Sequence, residues 1–175
     1  MEEQNNVLYA DKTLDFVRIA AEYCRYLEGC TDATKHDFAQ TLCALLPMVY
    51  LKTVLLPEIE EPVGYVSPFV TEEDYNYVRR NVAAVLGGED DYLDVQVEDF
   101  KYCEQPVLCT VSENLADIYQ QLRDLVETFR EGHEEAMQVS LYETTEEFRL
   151  TWGGKLLAAL RTLHNLYIEA DGAEE

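Results

Sequence analysis

The chain has 175 residues, 47 % of them hydrophobic, and carries 35 Asp and Glu against 13 Lys and Arg, a formal net charge of −22 at pH 7. That hydrophobic share over that length suits one domain with a buried core and excludes wholesale disorder. So acidic a surface repels phosphates and anionic lipid, which argues against plain nucleic-acid or membrane binding and favours a basic protein partner, cations or solubility alone.

The opening MEEQNNVLYADKT has neither the basic n-region nor the apolar h-region of a secretory signal, and no apolar run reaches membrane-spanning length. The five cysteines, Cys24, Cys30, Cys43, Cys103 and Cys109, are odd in number. Both observations predict reduced thiols in the cytoplasm.

Phe16, Ala20, Cys24 and Leu27 recur at helical spacing, widened by Leu14, Val17 and Ala21, and Gly29 stands where a helix stops. A first helix is expected over about 8–28. Thr34 to Asp37 is a capping-box-like start, after which Phe38, Leu42, Leu45, Leu46, Val49 and Tyr50 line one face. Pro47 has no amide proton, so this second helix should kink or break there. PEIEEPVGYVSPF, with three prolines and a glycine, is a loop. Thr71-Glu-Glu-Asp74 caps a third helix that Gly87-Gly88 ends.

GGEDDYLDVQVEDF follows, at 87–100, and holds Glu89, Asp90, Asp91, Asp94, Glu98 and Asp99. Residues 89–111 have no helical periodicity. Leu93, Val95 and Val97 alternate with Asp94, Gln96 and Glu98, which predicts an extended arm with the apolar set facing the helices and the polar set facing water. A short strand is the other reading, and it would need a pairing partner.

Ser112, a natural N-cap, opens a fourth helix with the stripe Leu115, Ile118 or Tyr119, Leu122, Leu125 or Val126, and Phe129, and Gly132 closes it. At 100° per residue, Leu141, Thr145, Phe148, Trp152, Leu156, Ala159, Leu163 and Leu166 lie within about 40° of one line, through Gly153-Gly154. Residues 134–168 are therefore one long helix or two nearly collinear ones. The expected architecture is an all-α single-domain bundle over 1–175, of five to seven helices, with one long irregular acidic connector at about 88–111 and frayed ends at about 1–6 and 169–175.

Catalytic and metal signatures are missing. No histidine has a glutamate three residues before it, as a di-iron bundle needs, and His133-Glu134-Glu135 does not complete a zinc-protease motif. Cys24/Cys30 and Cys103/Cys109 are each six apart, outside usual zinc spacings. Read as a calcium loop from Asp90, the acidic stretch puts Tyr92 third and Val95 sixth and lacks the central glycine. There is no nucleophile elbow and no phosphate-binding glycine loop. No cofactor is expected. Arg149, Trp152, Lys155, Arg161 and His164 gather cations and aromatics on the last helix, but Arg161 lies about 180° from Trp152 and His164 about 120°. Trp152 is better read as a core anchor. The twelve tyrosines read first as boundary packing, and exposed ones would suit a protein interface.

PVLCTVSENLADIYQQLRDL (106–125), EEFRLTWGGKLLAALRTLHNL (146–166) and FVRIAAEYCRYLE (16–28) resemble a bacterial family, the domain-of-unknown-function family numbered five thousand and sixty-three. The resemblance spans nearly the whole chain. It implies a small all-helical cytoplasmic protein with no assigned activity, cofactor or catalytic residue. Where a polar or histidine position is expected after Trp152-Gly153, the chain has Gly154-Lys155, which counts against a site at that turn.

These observations favour a non-enzymatic protein–protein interaction module with a basic partner. The docking surface is expected at Glu89, Asp90, Asp91, Asp94, Glu98 and Asp99. Two other readings stand beside it: an acidic nucleic-acid mimic, which needs carboxylates in rows, and an enzyme or small-ligand binder with a pocket between helices.

Overall fold

The computed structural model describes residues 7–95 and 105–171. Six α-helices lie among them: α1 (Asp11–Glu28), α2 (Lys35–Val54), α3 (Glu72–Leu86), α4 (Val111–Glu131), α5 (Glu134–Glu147) and α6 (Gly153–Asp171). Two short strands, β1 (Asp91–Asp94) and β2 (Val107–Thr110), stand between α3 and α4. The fold is the helical bundle that the apolar periodicity predicts, and α4 is its centre, packed against α1, α3, α5 and α6.

Local capping chemistry sets several boundaries as expected. The Thr34 hydroxyl accepts the Asp37 N–H at 3.1 Å. At α3 the box is reciprocal: Thr71 Oγ1 accepts the Asp74 N–H at 3.1 Å, and Asp74 Oδ2 accepts the Thr71 N–H at 3.0 Å. Gly132 closes α4 in the left-handed conformation, φ 76°, which a side chain would strain. At the start of α4 the capping residue is Thr110 and not Ser112. Thr110 Oγ1 accepts the Glu113 N–H at 3.2 Å, and Ser112 is buried inside the first turn.

α2 runs unbroken through Pro47, so of the two expected outcomes the break does not occur. The proline forfeits one bond, to the Cys43 carbonyl. On either side of it Leu46 and Val49 are fully buried, and Tyr50 meets Phe148 edge-on at 5.1 Å. Tertiary packing thus holds the helix where a local rule would end it. His36 stacks on Tyr167 at 5.5 Å, so α2 and α6 run antiparallel.

Between α5 and α6 the chain takes a five-residue π turn, Phe148–Trp152, in which the Gly153 N–H bonds back to the Phe148 carbonyl. Residues 134–168 are therefore continuously helical, with one inserted residue's worth of phase. Trp152 is 1 % exposed and donates from Nε1 to the Thr144 carbonyl at 3.0 Å. Its ring meets Phe148 at 4.7 Å. It belongs to one buried apolar cluster with Phe16, Phe38, Leu42, Leu46, Leu115, Ile118, Leu122 and Leu156, all fully buried. Tyr23 is buried too, its hydroxyl donated to the Leu115 carbonyl at 2.8 Å. No helix among the described residues is long and apolar enough to cross a membrane.

Candidate docking surface

The acidic connector is an antiparallel ribbon joined to α4, and not an irregular arm throughout. β1 finds its partner in β2, with Tyr92 opposite Cys109, Leu93 opposite Leu108 and Asp94 opposite Val107. Period two holds, with its phase inverted. Asp90, Tyr92 and Asp94 turn inward or are half-buried, while Asp91, Leu93 and Val95 are exposed, Leu93 by 67 %. The expectation that Leu93 and Val95 would face the helices is thus overturned for both. Two anchors decide the phase. Asp90 Oδ1 and Oδ2 accept the Ser112 N–H and hydroxyl at 2.7 and 2.6 Å. Two residues on, Tyr92 packs on the core and its hydroxyl accepts from the Asn114 side-chain amide. Burial pushes the Tyr92 phenol up to about 12.

The predicted acidic group is therefore divided. Glu89 and Asp91 are exposed and Asp94 is half-buried on the ribbon, whereas Asp90 is 8 % exposed and serves the start of α4. Glu98 and Asp99, with Gln96 and Val97, lie outside the described residues.

Elsewhere the carboxylates hold the bundle together. Asp117 on α4 takes the Tyr75 hydroxyl at 2.7 Å and Lys155 Nζ at 2.6 Å, tying α3 and α6 to it. Asp124 accepts the Phe69 and Val70 N–H groups at 2.8 Å each, which fastens the long loop before α3, and burial raises its pKa against those bonds. Arg123 reaches Glu28 at 3.2 Å and Glu127 at 3.0 Å and lies 5.0 Å from the centre of the Phe69 ring. Arg149 pairs with Glu146 at 2.6 Å. Trp152 is the core anchor that the wheel predicts, with Arg161 and His164 exposed away from it.

Cys24 and Cys30 are buried free thiols, and burial raises both. Cys43 and Cys109 are free and half-buried. Among the described residues no three His, Cys, Asp or Glu side chains converge as metal ligands.

The loop before α3 crosses α5, where Gly64 passes so close to Val139 that a Cβ would sit 3.2 Å from its methyl group. Two open clefts flank that crossing. The larger, ≈ 680 Å³, lies between the end of α2, the loop, α5 and the π turn; the smaller is ≈ 400 Å³. Sequence reading had no signal for either, because they form between elements far apart in the chain.

Residues 7–169 match the model of the family described as Domain of unknown function (DUF5063). The chain belongs to that family. A solved relative agrees with this DUF5063 fold: the crystal structure of protein BF1032 from Bacteroides fragilis, a Northeast Structural Genomics Consortium target, is similar at 37 % identity and a TM-score of 0.81. The match covers 91 % of this chain and 94 % of that one. No curated protein matches the chain.

Proposed function

We propose that this DUF5063 protein is a non-enzymatic protein–protein interaction module, one folded unit of the bacterial cytoplasm. Its β1–β2 ribbon docks a partner with a basic surface. One observation carries the reading: Leu93 and Leu108 form a directly opposed cross-strand pair, 67 % and 64 % exposed, beside Glu89, Asp91 and Asp94. An apolar pair held outward on an ordered ribbon and rimmed by carboxylates has the make-up of a small interface, with an apolar centre and a charged rim that steers a cationic partner. The proposed docking set also takes in Glu98 and Asp99, by their place in the acidic run of the sequence alone.

The test is capture from cells of the source organism followed by mass spectrometry. A partner should be recovered with the native chain, lost with Leu93→Ser/Leu108→Ser, and weakened by added salt and by Asp91→Asn/Asp94→Asn. Recovery of nothing, or of the same proteins with all variants, would overturn the reading.

A further inference from the structure

α2 is apolar on two sides. Phe38, Ala39, Leu42, Leu46, Val49 and Thr53 face the core. On the opposite side Ala44, Met48, Leu51 and Leu55 follow at i, i+4, i+7 and i+11, within about 60° of arc, and all four are exposed, Leu51 by 53 %. A helix packed on a bundle by one face normally carries polar residues there. The same helix has a cation, Lys52, but it turns aside to Asp15 on α1, 3.4 Å away.

The stripe ends at the larger cleft. Val54, exposed beside the stripe, also lines that cleft, whose apolar part is Leu56, Ile59, Tyr142 and Phe148. Its charged groups are Glu58, Glu60, Glu61, Glu146 and Arg149, four carboxylates to one guanidinium that already pairs with Glu146. The phenol of Tyr142 registers this field: desolvation, then Glu61 and Glu146, raise its pKa, against Arg149. One wall of the cleft is the π turn, a distortion that recurs at functional sites.

Resting on the reading as an interaction module, we propose that the outer face of α2 and the acidic cleft at its end together seat one basic amphipathic helix of a partner protein. Its apolar side covers Met48, Leu51 and Leu55, and a Lys or Arg side chain enters the cleft among Glu58, Glu60 and Glu61. Charge selects this occupant. A second copy would bring another net −22 to an already acidic rim. Helix-in-groove docking by an apolar stripe with a cationic anchor meets both the exposed stripe and the carboxylates. This surface is separate from the ribbon. Gly87, just before β1, lies beside Lys35 at the first turn of α2, and the cleft lies at its last. Those ends are about 30 Å apart for a helix of this length.

The probe is a fluorescein-labelled model peptide of leucine and lysine at helical spacing, titrated with the full chain at physiological salt and read by anisotropy. The control peptide has the same composition in scrambled order. We expect the ordered peptide to bind and the scrambled one to bind far more weakly. Met48→Ser/Leu51→Ser and, separately, Glu58→Gln/Glu60→Gln/Glu61→Gln should each weaken binding by about tenfold or more, and only the second should flatten the salt dependence. All these side chains are exposed or at a cleft rim, and unchanged circular-dichroism melting of the variants would show the fold intact. Leu93→Ser should leave peptide binding unchanged. No binding, equal binding of both peptides, or indifference to the α2 substitutions overturns the inference. So does self-association in sedimentation that Met48→Ser/Leu51→Ser abolishes, since the face would then belong to a second copy. Loss of the peptide with ribbon-dependent capture intact refutes only the α2 surface; peptide binding without such capture refutes only the ribbon.

Discussion

The carboxylate of Asp90 takes both the backbone N–H and the hydroxyl of Ser112, at 2.7 and 2.6 Å, across 22 residues of chain. One buried side chain thus satisfies two donors in the first turn of α4 and sets which side of β1 faces inward. Asp90→Ala should leave both donors without their partner and cost about 2 kcal/mol, read from urea unfolding midpoints. Asp91→Ala, one residue on and exposed, should change stability by no more than about 0.5 kcal/mol. Equal effects would show that the Asp90 cap contributes nothing.

The adjacent glycines of α6 should respond with opposite signs. A Cβ on Gly153 would lie 2.5 Å from the Phe148 carbonyl oxygen and 3.0 Å from the Phe148 ring, so Gly153→Ala must open the π turn or displace the ring. Gly154 has nothing within 4 Å of that position and lies in a helix. Gly154→Ala should stabilise by about 0.5–1 kcal/mol, while Gly153→Ala destabilises despite the same gain in helix propensity. Thermal melts of the two single variants decide this.

Emptying the Trp152 site should cost about 3–5 kcal/mol in Trp152→Ala, the range for a large aromatic core side chain. Trp152→Phe keeps most of the apolar contact but leaves the Thr144 carbonyl without the indole N–H, and should fall well short of that loss. If the alanine variant unfolded at the native denaturant concentration, Trp152 would not be the anchor its burial indicates.

Acid should weaken the start of α3. Asp74 accepts the Thr71 N–H, and that bond, followed by the Thr71 hydroxyl's, holds its carboxyl below the ordinary aspartate range. A carboxyl with a depressed folded pKa favours folding while ionised in both states. Its contribution is therefore full above the unfolded value, about 4, and is lost as pH falls through the lower folded value. Asp74→Asn should lower stability at neutral pH by about 1 kcal/mol or less, as befits an exposed cap, and should flatten the decline below pH 4. Denaturant midpoints measured against pH would show an unchanged slope if the box carried no stability.

The helices were legible because their signals are local. The Thr71–Asp74 box, Gly132 after α4, and the spacing that puts Leu156, Ala159 and Leu163 on the buried line of Trp152 each depend on residues within a turn or two, and they act in the folded chain as they read in the sequence. Even the ribbon's alternation was readable. Its phase was not, since Leu93, Val95 and Val97 outweigh Tyr92 on hydrophobicity alone. Asp90 and Tyr92 face inward because Ser112 and Asn114 meet them there, 22 residues later in each case.

For the candidate surfaces the division is sharper. Net charge and the acidic run at 89–99 stand in the composition and needed no structure. That Asp90 leaves the surface, that Leu93 and Leu108 come out to it as a pair, and that α2 continues past Pro47 with a second apolar face to solvent depend on which segments meet. Propensity, capping and periodicity act over a few residues and are written in order along the chain. Strand phase, exposure and clefts are set by contacts between residues tens of positions apart, which compete for one limited interior and are settled only when the helices pack.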